Sequence, residues 1–137
     1  FTAVAGPLAN LLIAVVVAIP LRYFPNYLGL ELQTLLNTLL DNALKYNDKI
    51  PEITITTGRD HIGLFISIAD NGIGIPKEFH RKIFEKFFRV PTGNIHNVKG
   101  YGLGLNYVKM IAKAHHWRLR LDSQFNKGSI FTIIIPQ

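Results

Sequence analysis

The sequence predicts an α/β fold: one mixed sheet covered by helices on one face. Three observations carry this. Residues 30–46 repeat their apolar positions at three and four, the period of a helix with one buried stripe. Residues 52–57 and 62–69 alternate in the manner of strands, and residues 129–135 are nearly all apolar. The order reads strand, helix, two strands, two helices, two strands, with no internal repeat or low-complexity segment.

The first 21 residues carry no charge. About 20 apolar residues can span a bilayer, but Gly6, Pro7 and Asn10 leave only residues 11–19 uninterrupted. Ile13, Val15, Val16, Val17 and Ile19 are mostly β-branched, which favours a buried strand over the alternative, a membrane-proximal helix. Pro20 and Pro25 punctuate the connection that follows. Leu32, Leu35, Leu36, Leu39, Ala43 and Leu44 form the stripe of the long helix, and Thr38, Asn42 and Lys45 fall on another face.

Residues 58–61 form a turn between two strands. In the second, Ile62, Leu64, Ile66 and Ile68 share one face, and Asp70 continues that parity. A carboxylate on the apolar side of a strand end is partly buried and needs a donor. Residues 76–88 read as a short helix with Pro76 in its first turn, residues 90–99 as a loop and residues 102–115 as a helix with Leu105, Val108, Ile111 and Ala112 inward. Residues 117–123 and 129–135 close the chain as a hairpin around Asn126-Lys127-Gly128.

Composition narrows the function. Apolar residues make up 48% of 137, enough for a single cored domain and too many for a disordered chain. With no cysteine, disulfides and thiolate metal sites are excluded. The formal charge of +6 suits an anionic partner or simply a solvated basic surface. Its Lys and Arg residues are scattered, so no nucleic-acid partner is expected. The chain begins with Phe1 and shows no targeting leader, so it reads as a piece of a longer protein.

Three constellations suggest a polyphosphate ligand. Asp70-Asn71-Gly72-Ile73-Gly74 sets a carboxylate before a flexible turn, where a planar ring can come close and an exocyclic amine can donate. Gly100, Gly102 and Gly104 lead into a helix whose first amides lack internal partners, a natural phosphate site. Asn42 offers an amide oxygen suited to Mg²⁺, and Lys45 offers a point charge. Taken singly, each is more often a plain turn or a solvated helix face.

Together they resemble a known family. Asn42-Ala43-Leu44-Lys45-Tyr46, Asp70-Asn71-Gly72-Ile73-Gly74-Ile75-Pro76, Ile83-Phe84-Glu85-Lys86-Phe87-Phe88-Arg89 and Gly100-Tyr101-Gly102-Leu103-Gly104-Leu105 occur in that order. The chain resembles the catalytic and ATP-binding domain of bacterial sensor histidine kinases from about residue 30 onward. The four stretches look like its N, first glycine, F and second glycine boxes.

That resemblance implies the Bergerat fold, a two-layer α/β (α+β) sandwich with a mostly antiparallel sheet, filling residues 1–137 as one domain. By the same resemblance, Asp70 takes the adenine amine, Asn42 is the Mg²⁺ ligand, Lys45 and Tyr46 contact nucleotide, and Gly72 and Gly74 shape the adenine pocket. Residues 90–101 match the ATP lid. Gly102, Leu103, Gly104 and Leu105 match the phosphate turn, and Thr132 matches a threonine near adenine. Ile75, Phe84, Arg89, Lys99 and Gly100 complete the implied nucleotide contacts, with Phe84 and Phe87 anchoring the lid. The implied cofactors are ATP and Mg²⁺. The implied reaction is transfer of the γ-phosphoryl group to a histidine on a separate helical dimerisation domain upstream. Implied partners are that domain and a response regulator, in a homodimeric, membrane-anchored sensor whose kinase part faces the cytoplasm.

Two positions depart from the family pattern. Thr38 stands where Asn, or Glu in ATP-hydrolysing relatives, is usual, and Thr is no general base toward water at neutral pH. Gly29 stands where an Asp often caps the helix. His61, His80, His96, His115 and His116 lack the acceptor-histidine context, His80 reads as exposed, and no catalytic residue is assigned within the chain. The rival readings are a nucleotide-binding pseudokinase scaffold and a serine kinase of the anti-sigma-factor type on the same fold.

Overall fold

The structure is a computed structural model, and it describes residues 2–4, 26–91 and 100–136. Strand β1 (Thr2–Val4) precedes helix α1 (Asn26–Lys45), strands β2 (Glu52–Arg59) and β3 (Gly63–Asp70), helix α2 (Gly104–Ala114), and strands β4 (Arg118–Gln124) and β5 (Gly128–Pro136). Two 3₁₀ turns, Lys77–Phe79 and Lys82–Phe84, lie between β3 and α2.

The strands form one sheet in the order β1-β2-β3-β5-β4. Every pairing among the described residues is antiparallel, in keeping with the mostly antiparallel sheet expected. Short connections explain two of these pairings, β2 with β3 and β4 with β5. Asp60 closes the β2–β3 turn by accepting the Ile62 and Gly63 amides on Oδ1 at 2.8 and 3.1 Å, and a hairpin needs no crossover. The expected strand over residues 11–19 lies outside the described residues; the sheet's first strand is Thr2–Val4, paired in register Ala3 to Ile53.

Helix α1 buries the predicted stripe. Leu32, Leu35, Leu36, Leu39, Leu40 and Ala43 join Ile53, Ile66, Ile68, Phe131 and Ile133 in one core. Each such leucine contributes about 1.5–3 kcal/mol by leaving water. Helix α2 adds Val108, Ile111 and Ala112 to the same layer. Strand β5 lies inside the sheet between β3 and β4, as its apolar run predicts. The sheet's helix side therefore presents Ile66, Ile68 and Asp70 from β3, opposite Ile133, Phe131 and Ser129 from β5.

Helix α1 begins at Asn26, so Gly29 lies within the helix and is not a missing cap. Residues 76–88 are not an α-helix. Helical spacing of Phe79, Ile83, Phe84 and Phe88 is present, yet tertiary bonds take the backbone groups that a helix would pair internally. Asn106 donates its side-chain amide to the Phe84 carbonyl at 2.8 Å. The Phe87 amide donates to Gly102 at 2.9 Å, with Phe87 held at φ +64°. Phe84 and Phe88 still pack on the core, but Phe87 is 70% exposed and anchors by its backbone alone. His80 is half-buried rather than exposed, with Nε2 2.9 Å from the Ile75 carbonyl. Trp117 is buried just before β4 instead of starting it. His115, which caps α2, pairs with Glu31 of α1 and stacks on Trp117 at 4.7 Å. Among the described residues, no helix is long and apolar enough to cross a membrane.

Candidate functional site

Asp70 ends β3 on the helix side of the sheet, as its parity predicts. Its Oδ1 accepts the Gly72 amide at 2.8 Å and the Ser129 amide at 3.3 Å. Burial pushes the carboxyl above its ordinary value, and those two amides partly offset the rise. No described residue donates to Oδ2. Asp70 lines a cleft of about 370 Å³ between α1, the end of β3 and the start of α2.

The cleft wall is built from backbone contacts that only glycine permits. Gly74 sits at φ +65°, and a Cβ there would lie 2.0 Å from the Gln124 carbonyl oxygen. A Cβ on Gly72 would meet the Tyr46 carbonyl at 2.4 Å. The first glycine box is thus clamped between the C-terminus of α1 and the β4–β5 hairpin. Hydrogen bonds hold the clamp: Ile73 donates to Tyr46 at 3.0 Å, and Asn126 donates to Ile73 at 2.7 Å. On the α1 side, Asn71 accepts the Asn47 side-chain amide at 2.6 Å and the Glu52 amide at 2.9 Å.

The cleft brings together most of the predicted residues. Asn42 and Lys45 enter from α1, and Tyr46 from the turn just after it. Gly74, Ile75 and Arg89 enter from the segment after β3. Gly100, Gly102, Leu103, Gly104 and Leu105 form the opposite wall, where α2 begins. Lys45 lies 3.9 Å from Asp41, an exposed pair on successive turns of α1 that adds little stability. Gly102 turns at φ +70° against the Phe87 backbone, so the F box and second glycine box bend as one unit. Gly72 stands behind the cleft and acts through its amide on Asp70. Phe84 also stands behind it, packed on the core with the Lys109 ammonium 5.8 Å from its ring centre. Lys99 and the remainder of the expected lid, residues 92–99, lie outside the described residues.

Thr132 is a correction. It lies on the other face of the sheet, its hydroxyl 2.7 Å from that of Ser67. The polar residue of β5 in the cleft is Ser129, directly opposite Asp70 and 6% exposed. Strand parity held the signal: Ser129 and Thr132 differ by three, so they cannot share a face. Ile73, Ile83, Phe88, Val90 and Phe131 give the cleft its apolar lining and were not assigned to it from sequence. Thr38 also lines the cleft, but its hydroxyl donates back to the Thr34 carbonyl at 2.9 Å.

The donor set fits a nucleotide-borne Mg²⁺ better than a protein-caged ion. Among the described residues no three His, Cys, Asp or Glu side chains cluster as metal ligands. Asn42, a neutral amide, lines the same cleft as the glycines at the start of α2, and it would suit an ion that takes its other ligands from phosphate and water.

Residues 28–137 match the family described as histidine kinase-, DNA gyrase B- and HSP90-like ATPases, and the chain belongs to that family. Within it, sensor histidine kinases are among the matching relatives. The chain is 50% identical over 102 residues to the sensor protein RprX of Bacteroides fragilis, covering 72% of this chain and 19% of RprX. It is 37% identical over 106 residues to the sensor-like histidine kinase SenX3 of Mycolicibacterium smegmatis, covering 77% of this chain and 28% of SenX3. Among solved structures, the mycobacterial sensor histidine kinase MprB superposes with a TM-score of 0.67 at 28% identity, over 79% of this chain and 71% of that one. The nucleotide-free catalytic domain of histidine kinase ThkA gives 0.65 at 28% identity, over 79% and 68%. The chain spans less than a third of the curated relatives named here. It is an ATP-binding domain of the sensor histidine kinase type.

Proposed function

We propose that this domain binds ATP with Mg²⁺ and presents the γ-phosphoryl group to a histidine on a helical domain elsewhere in the same protein. The observation that carries the reading is Asp70. Its Oδ1 is held by two backbone amides, and its Oδ2 is left for an exocyclic amine inside an apolar cleft. From that anchor, the phosphates run toward Asn42, Lys45 and the first amides of α2, which suit anions. Mg²⁺ bound with the nucleotide would neutralise phosphate charge. The chain itself supplies orientation, through the glycine clamp, and water exclusion, through Ile75, Phe88 and Phe131. By resemblance to the sensor histidine kinases, the group that polarises the acceptor histidine belongs to the acceptor domain.

The larger assembly follows the same reading: a homodimeric sensor, anchored in the inner membrane with this domain on the cytoplasmic side, passing the phosphoryl group to a response regulator. Incubating the chain with γ-labelled ATP and the acceptor hairpin of the full-length protein tests it. Label on the acceptor histidine is expected. Tight ATP binding without transfer would favour the second reading, a nucleotide-binding scaffold. One observation supports that alternative: the Thr38 hydroxyl spends its one proton on its own helix and has none to donate to ligand or water.

A further inference from the structure

We infer that Ser123, which stands outside the cleft, is a positioning residue that sets base selectivity by fixing the direction of the Ser129 hydroxyl. The inference rests on the proposal that the cleft takes a purine nucleotide. Among the described residues Ser129 is the buried polar one, and it lines the cleft next to Asp70. Ser123 lies opposite it on β4.

Three contacts meet at the Ser123 hydroxyl. The Ile75 amide donates to it at 2.8 Å. It donates to the Gly128 carbonyl at 3.0 Å. Its oxygen lies 2.9 Å from the Ser129 hydroxyl oxygen. Each serine has one proton and two lone pairs. The carbonyl only accepts and the amide only donates, so the Ser123 proton goes to Gly128. The contact with Ser129 is then a hydrogen bond only if Ser129 is the donor. One assignment satisfies all three contacts, and buried polar groups are normally fully paired.

The consequence falls inside the cleft. With its proton turned away, Ser129 offers lone pairs only. Asp70 and Ser129 are cross-strand partners that both line the cleft, so the Asp70 carboxylate and the Ser129 oxygen are both acceptors there. A 6-amino purine donates to such a pair. A 6-oxo purine sets an acceptor against it at position 6 and has only its N1–H to offer, so the oxo group and at least one acceptor of the pair stay unpaired, which is costly in a buried site. Removing the Ser123 hydroxyl frees the Ser129 proton to turn inward and donate to an oxo group.

ATP and ITP differ at that position, so the ratio of their dissociation constants on the full chain is the readout. The wild type should prefer ATP. Ser123→Ala should lower the preference about five- to tenfold, mainly by improving ITP. Ser123→Thr, which keeps the hydroxyl, should retain it. In a Ser129→Ala background, Ser123→Ala should leave the ratio where it is. Should the alanine variant not fold, Ser123→Cys, a poor donor and acceptor, gives the same readout. A purely structural Ser123 would weaken both nucleotides equally; an unmoved ratio in a chain that binds ATP overturns the inference alone. A folded wild type that binds neither nucleotide overturns the nucleotide reading and this inference with it.

Discussion

The Gly72 amide donates to Oδ1 of Asp70 across 2.8 Å, so the residue two places after the carboxylate holds it in the cleft. This bond uses only the backbone of Gly72, while the missing Cβ lets Tyr46 approach. One glycine thereby fixes both the aim of the acid and the seat of the α1 C-terminus.

Asp70→Asn separates binding from stability. The amide oxygen can still accept from Gly72 and Ser129, but the amine of adenine loses its charged acceptor. ATP affinity should fall roughly 10- to 150-fold, the equivalent of about 1.5–3 kcal/mol. The folded-state carboxyl is raised above its ordinary value of 3.8, so its stabilising contribution is present below that value and is lost as pH rises through the folded value. At neutral pH the ionised, desolvated carboxylate therefore costs stability, and the variant should melt at an equal or higher temperature. That advantage should vanish in acid. Thermal melts across pH check it.

The same shift gives ATP binding a pH dependence. A protonated Asp70 no longer accepts from the amine, so affinity should weaken on acidification earlier than an ordinary aspartate would dictate. Asp70→Asn removes that component. Titrations of both proteins at matched pH isolate it from the titration of ATP itself.

Asn42→Ala should abolish the gain in affinity that Mg²⁺ confers, bringing binding with metal down to the metal-free level. Asn42→Asp should retain metal dependence. Paired titrations with and without Mg²⁺ measure both.

Glycines of the two boxes should differ sharply. Gly74→Ala forces a Cβ within 2.0 Å of the Gln124 oxygen at positive φ, and should cost about 2 kcal/mol or more in stability. Gly100→Ala meets nothing within 4 Å and should be near neutral. Denaturant midpoints compare them.

Thr132→Ala should leave ATP affinity within a factor of about two, because its hydroxyl meets Ser67 on the far face of the sheet. Calorimetry of the variant decides whether the sheet face or the sequence resemblance locates the adenine-side hydroxyl.

Much of this was legible from residues alone. The leucine stripe of α1 announced its buried face, and the parity of Asp70 with Ile66 and Ile68 placed a carboxylate on the core side of β3. The errors share a cause. Residues 76–88 have helical spacing, but Asn106 and Gly102 claim their backbone groups from distant parts of the chain. Local pattern does not register such bonds. Thr132 was assigned by resemblance, whereas pairing β5 with β3 puts Ser129 against Asp70. Register across a crossover depends on which strands meet, and no single strand carries that information.

Calorimetric titration of ATP into the full chain, with and without Mg²⁺ and beside Asp70→Asn, tests the central claim most directly. Saturable, Mg²⁺-strengthened binding that the variant largely loses is the predicted result. A folded chain that gives no binding heat, or an Asp70→Asn protein that binds as well as the wild type, would contradict it.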